Sequence, residues 1–196
     1  MFVQIIQGKV ADADLWQRQS ERWLTDVRPG AIGDLGSTMG VTPDGTAVVV
    51  ARFESADAAR ANSERPEQTR WAEGMAGAFE GDVTFLDCPE VDLMLGGGSD
   101  EAGFVQIMHG RAIDPAQLRA AGQTMEDELR AARPDIIGGL VAWHGDREFT
   151  QVVYFTSEEA ARAAEASPSD GSGAGEWMAM MDGPMTFLDV KEPAFA

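Results

Sequence analysis

Apolar and β-branched residues crowd the opening segment Phe2 to Val10, broken only by Gln4, Gln7, Gly8 and Lys9. So short and β-rich a run predicts a strand rather than a stable helix. Period changes after Asp12. Trp16, Trp23 and Val27 recur at spacings of seven and four, one face of a helix that Asp12 or Asp14 would cap. Arg28-Pro29-Gly30 ends it, because proline cannot continue the hydrogen-bond ladder. Alternation returns over Leu35 to Val41 and Thr46 to Phe53, two strands joined by the turn Thr42-Pro43-Asp44-Gly45. Ser55 caps a second helix that Pro66 interrupts, a short apolar helical segment follows with Trp71, Met75, Ala78 and Phe79, and Val83 to Leu86 reads as a last strand.

The whole pattern then repeats. Phe104-Val105-Gln106-Ile107 restates Phe2-Val3-Gln4-Ile5 at an offset of 102 positions, and from Phe2 to Asp12 six of eleven pairs are identical. The same offset aligns Phe53, Ser55 and Arg60 with Phe155, Ser157 and Arg162, and Thr84-Phe85-Leu86-Asp87 with Thr186-Phe187-Leu188-Asp189. The apolar stripe of the first helix reappears as Leu118, Met125 and Leu129, behind the start signal Asp114-Pro115. Arg133-Pro134 lies 105 positions after Arg28-Pro29, so copy two carries three extra residues. They are expected back in the hairpin, with the reversal around His144-Gly145-Asp146 tighter than its counterpart. Strands are expected at Gly139 to Trp143, Glu148 to Phe155 and Met185 to Leu188. Pro168 should break the second helix, and Trp177, Met178, Met180 and Met181 should form the short apolar helix after a divergent stretch from Ser169 to Gly175.

Each copy thus reads strand, helix, strand, strand, helix, strand, the split βαβ order of a ferredoxin-like α+β fold with a four-stranded antiparallel sheet. The expected organisation is a first repeat over residues 1–89, a flexible glycine-rich linker over 90–102 and a second repeat over 103–192. Both faces of the first strand are largely apolar, so the two sheets are expected to cover one another as an intrachain pseudo-dimeric α/β barrel.

Composition narrows the partners. A formal charge of -18 on 196 residues, with a pI near 4.3, argues against nucleic acid or an anionic membrane surface. No opening stretch joins a basic head to a long apolar run, so neither a leader nor a membrane span is expected, and a cytoplasmic location is the simple reading. Cys88 is the single cysteine, expected as a structural thiol. Two histidines without a neighbouring carboxylate motif make no metal site.

The order of elements, the Phe-Val-Gln-Ile strand, the run Asn62-Ser63-x-Arg65-Pro66-x-Gln68, Trp71 and the terminal Val83-Thr84-Phe85-Leu86-Asp87 resemble the dimeric α/β-barrel superfamily of antibiotic biosynthesis monooxygenase-like proteins. More narrowly they resemble its tandem actinobacterial members. The resemblance implies a cofactor-independent oxygenase of a hydrophobic aromatic or polyketide-like substrate, without metal or flavin. The group also holds haem-degrading enzymes, isomerases and proteins without assigned chemistry, so fold alone does not choose among them. Haem-degrading members carry an asparagine on strand one and a Trp and His later; here Gln4 and Gln7 (Gln106 and His109) stand on that strand, and no histidine follows Trp71 or Trp177.

His109 replaces Gln7 at a strand end and is the candidate base toward a phenol or enol; the alternative is a hydrogen-bonded strand-end histidine. His144, beside the hairpin, is expected in solvent. Gln4 and Gln106 are amides inside apolar strands, expected either to orient a ligand carbonyl or to bond each other across the pseudo-twofold. Asn62, Trp71, Trp143, Tyr154 and Trp177 complete the candidate pocket for a small hydrophobic molecule, against the alternative that these residues are core. Two functions follow: an enzyme with His109 as base, or a noncatalytic ligand-binding or scaffolding module whose interior is filled by its own side chains. Further homo-oligomerisation is left open.

Overall fold

The computed structural model describes residues 1–166 and 174–196; Pro168 and residues 169–173 of the divergent stretch lie outside the described residues. Two compact units are present, Met1–Pro89 with Ala194–Ala196, and Glu90–Pro193.

In the first unit, β1 (Phe2–Val10) runs into α1 (Ala13–Arg22), whose cap is Asp12: its carboxylate accepts the backbone N–H of Leu15 at 2.9 Å. Such a cap is worth about 1 kcal/mol. The helix continues through a π-helical turn, Trp23–Val27, into a 3-10 turn at Arg28–Gly30. Then come β2 (Asp34–Val41), β3 (Thr46–Phe53), α2 (Ala56–Ser63) capped by Ser55, α3 (Pro66–Ala76) with proline at its start, and β4 (Phe79–Cys88). Ala78 and Phe79, expected on a helix, instead close a turn and open the strand, which pairs as far as Val10 with Phe79. Trp16, Ala47, Met75 and Ala78 form a buried cluster with Trp71 and Phe79 against it, and the Trp16 and Phe79 rings meet edge to face at 5.5 Å. Each large side chain so buried contributes about 1.5–3 kcal/mol.

The second unit repeats the order: β6 (Phe104–Arg111), α4 (Pro115–Ala132), β7 (Ile136–Trp143), β8 (Glu148–Phe155), α5 (Glu158–Glu165), α6 (Ala174–Ala179) and β9 (Thr186–Val190). Asp114 caps α4 by accepting from Ala116 and Gln117, and Ser157 caps α5.

Among the described residues both sheets have five strands rather than four. β10 (Ala194–Phe195) joins β2 to give the order β10-β2-β3-β1-β4, and β5 (Glu90–Met94) joins β7 to give β5-β7-β8-β6-β9. All pairings are antiparallel. Neither sheet closes into a barrel; each keeps two edges. The linker expectation is thus corrected over Glu90–Met94, which pairs with Gly139–Trp143 residue for residue. A free edge on β7 offers unpaired N–H and C=O groups, and the segment after Pro89 satisfies them.

The three-residue offset is resolved elsewhere than in the hairpin. Both hairpin loops have four residues, 42–45 and 144–147, and Asp34 and Ile136 take equivalent places opposite Phe53 and Phe155. Copy one instead inserts its residues between Pro29 and Asp34, where Gly33 turns the chain at φ 62°.

Candidate functional site

Strand β6 alternates strictly, so Gln106 and Met108 share one face while Val105, Ile107 and His109 share the other. On the first face the second unit encloses a cavity of about 440 Å³ between its sheet and α4. Its sheet wall is Gln106 and Met108 from β6, Gln151, Val153 and Phe155 from β8, and Val141 and Trp143 from β7. Met94 and Asp92 of β5 close one side. Helix α4 brings Leu118, Gly122, Met125 and Leu129, one face at helical spacing, and α6 brings Trp177 and Met178. Cavities of this size with apolar walls and few polar groups are where proteins take small ligands.

The polar groups are held unequally. Trp143 is clamped: its indole N–H donates to the Asp92 carboxylate at 2.7 Å, and the Arg119 guanidinium lies 4.7 Å from its ring centroid. Arg119 is in turn paired with Asp92 at 3.2 Å and with Glu90. Arg133, also on the wall, forms a buried two-pronged pair with Asp135 at 2.9 and 2.8 Å. Gln106 donates its amide to Asp189 at 3.1 Å, and in the first unit Gln4 does the same to Asp87 at 2.8 Å. The expectation that the two glutamines bond each other is corrected: each bonds the aspartate on the last strand of its own repeat, its cross-strand neighbour in register.

Among the described residues three buried groups on the wall lack a strong hydrogen bond, one of them Arg119 Nε, which meets Asp92 only as an ion pair. Gln151 is buried to 6 % exposure, and among the described residues its amide meets only the Met94 sulfur, at 3.3 Å. The Trp177 indole N–H is buried without a hydrogen-bond partner among the described residues.

Of the residues singled out in the sequence, Gln106, Trp143 and Trp177 come together on this wall. His109 and Tyr154 do not; both occupy the other face of the same sheet, where Tyr154 is fully buried. His109 Nδ1 lies 2.8 Å from the Thr150 hydroxyl. Burial, followed by the nearby His144, pushes its pKa down to about 4, so it is neutral at pH 7. His144 is half-buried rather than exposed beside its hairpin, its Nε2 enclosed without a partner among the described residues, and burial lowers its pKa as well. Asn62 and Trp71 serve the first unit: Asn62 accepts the Ile32 N–H at 3.2 Å and an Arg65 N–H at 3.0 Å, while Trp71 donates to the Gln19 carbonyl at 2.7 Å.

Gln151, Asp92, Arg119 and Met125 were missed. Gln151 had a signal: the repeat places it opposite Val49, so a polar residue had entered the centre of an apolar strand. Asp92 had none, since its strand was read as linker.

No protein-family model matches the chain, and no curated protein does either. Among solved structures, the chain is similar to a candidate monooxygenase from Fusobacterium nucleatum at a TM-score of 0.76 and 7 % identity, covering 99 % of this chain and 93 % of that one. A candidate monooxygenase from Lactobacillus acidophilus matches at 0.72 and 14 % identity, over 100 % and 98 %. An anthrone oxidase-like protein matches at 0.61 and 10 % identity, over 100 % and 92 %. The fold over the full length is therefore the one these proteins share, and a ferredoxin-fold protein from Listeria monocytogenes related to antibiotic biosynthesis monooxygenases has it too, at a TM-score of 0.55 and 9 % identity over 99 % of this chain and 96 % of that one.

Proposed function

We propose that the second unit is a receptor for a small, flat, hydrophobic molecule, held between α4 and the sheet. The cavity carries this reading: about 440 Å³, with Trp143 and Phe155 as planar walls, methionines as adaptable filling, and glutamine carboxamides on its floor. Trp143 is fixed on its edge by Asp92 and on its face by Arg119, so this part of the wall is rigid before any ligand enters.

The test uses the chain's own duplication. Trp23 stands in the first copy where Met125 stands in the second, so Met125→Trp places a residue this fold already accommodates into the cavity. Equilibrium dialysis against a tricyclic aromatic probe should show binding to the wild type and at least tenfold weaker binding to Met125→Trp. Equal binding by the two would move the ligand elsewhere.

A second reading is favoured by the full-length likeness to candidate monooxygenases: the bound molecule is oxygenated. For an activated methylene the balance needs no added reductant. One oxygen atom of O2 becomes the C=O, the other leaves as water with the two hydrogens of the CH2, and the substrate supplies the electrons. What the cavity would contribute is orientation of the methylene and exclusion of bulk water. Oxygen consumption over a panel of anthrones and quinols tests it. Because His109 is off the cavity wall, His109→Ala should turn over as the wild type does; loss of turnover would return His109 to the chemistry.

A further inference from the structure

We infer that Asp189, which lies off the cavity wall, is a positioning residue that sets what the cavity selects. It turns the Gln106 carboxamide so that the oxygen faces inward, and the wall then favours a ligand that donates a hydrogen bond from N–H or O–H. The inference rests on the receptor reading above and adds the residue that fixes the polarity of the wall.

A carboxamide has a donating end and an accepting end of nearly the same shape, so what lies beside it determines which end faces where. Beside Gln106 stands Asp189, its register neighbour on β9. The Asp189 carboxylate is paired through Oδ2 with the Arg162 guanidinium, and through Oδ1 it accepts the Gln106 Nε2–H at 3.1 Å. A carboxylate has no proton to give, so the opposite orientation of the amide would set oxygen against oxygen. The donating end is thereby spent on β9. The Gln106 oxygen accepts nothing among the described residues, yet it is not shut in as the Trp177 and His144 nitrogens are. Because the residue lines the cavity, that oxygen opens onto it.

The chain builds this pair twice. In the first unit Gln4 donates to Asp87 at 2.8 Å across the same 83 positions, although positions nearby have diverged, Val49 against Gln151 and Trp23 against Met125. Only the second pair is anchored further. Among the described residues no arginine pairs with Asp87, since Arg60, the counterpart of Arg162, turns to Asp57. The other glutamine of the wall is a contrast. The Gln151 amide meets a thioether, a weak acceptor, so little holds either of its ends in place. The fixed polarity of the wall is therefore that of Gln106, and Asp189 is what fixes it.

Three tricyclic probes of one size differ at a single atom: carbazole donates an N–H, dibenzofuran offers an oxygen, and fluorene has a CH2. Each is titrated by equilibrium dialysis into the whole chain as wild type, Asp189→Asn and Asp189→Glu. The wild type should bind carbazole about three- to tenfold more tightly than dibenzofuran or fluorene, the factor for one neutral hydrogen bond. Asparagine keeps the size of Asp189 but can donate, which lets Gln106 turn over, so Asp189→Asn should narrow the carbazole preference to within about twofold. Asp189→Glu, still a carboxylate, should keep it. In ligand-free wild type, a Gln106 side-chain N–H held by a carboxylate should resonate downfield of a solvated carboxamide at pH 7. A solvated position overturns the inference without any variant, so a substitution that fails to fold leaves it decided. Equal wild-type affinity for the three probes overturns the selection and leaves the receptor reading standing. An undiminished carbazole preference in Asp189→Asn overturns the role of Asp189. No binding of any probe to the wild type removes the receptor reading and this inference with it.

Discussion

Cys88 is fully buried at the end of β4, and burial, helped by the neighbouring Asp87 carboxylate, pushes its thiol up to about 12. Only the thiolate reacts, so at pH 8 a disulfide reagent should label no thiol in the native chain and one per chain in denaturant. The histidines set a different dependence. His109 has a folded-state pKa near 4 against 6.5 for an exposed imidazole, because burial disfavours its cation. Above pH 6.5 neither state binds the proton and the stability is complete. Between 6.5 and 4 the unfolded chain takes up a proton that the folded one refuses, so stability falls as pH falls. From pH 7 to pH 5 the urea midpoint should drop by the equivalent of about 1–2 kcal/mol from this residue. His109→Gln, which restores the residue of the first copy, should flatten that slope. An unchanged slope would place the proton uptake elsewhere, with His144 next in line because its pKa is lowered in the same direction.

At the scale of elements, the caps, the helix stripes and the strand cores were legible because each is decided by neighbours a few residues apart. Asp12, Asp114, Ser55 and Ser157 cap as their sequence positions imply. Edge strands were not legible. β5 is recruited by β7 from a stretch with a glycine run, and Gly138 shows why that stretch must fit closely: a Cβ there would sit 2.0 Å from the Gly97 carbonyl oxygen, a backbone atom. Gly138→Ala should therefore cost more than about 2 kcal/mol, well beyond its small effect on strand propensity. Thermal or urea unfolding checks this. Gly122 behaves oppositely. A Cβ there meets only Trp177, at 3.7 Å, so Gly122→Ala should stabilise α4 by about 0.5–1 kcal/mol, read in the same unfolding experiments.

For the whole molecule, duplication supplied two scaffolds and the side chains then diverged. Where the second unit has Leu118, Met125 and Gln151 around its cavity, the first has Trp16, Trp23 and Val49. There Trp16 and Val49 join the apolar cluster with Trp71 against it, and the Trp23 and Trp71 rings lie 6.4 Å apart. The first copy carries larger aromatics at positions that in the second copy line a cavity. One ligand per chain is the expected stoichiometry, measurable by native mass spectrometry with the tricyclic aromatic probe. A second equivalent of similar affinity would show that copy one also receives it. Among the described residues no helix is long and apolar enough to cross a membrane.

By itself the sequence determined the duplication, the ferredoxin-like order of elements, the caps and the apolar faces, because periodicity and local hydrogen bonding act over a few residues and the repeat confirms each twice. Tertiary structure alone decided three things. Strand pairing brought Gln106 to Asp189 and Gln4 to Asp87, partners 83 positions apart, in place of a pairing between the glutamines. Edge completion turned Glu90–Met94 and Ala194–Phe195 into strands. Alternation on β6 put Gln106 on the cavity wall and His109 on the far face, while Gln151 and Trp177 joined Gln106 on that wall from β8 and α6. Each depends on which backbone lies alongside which and on the space remaining between side chains, quantities that arise only when distant segments meet.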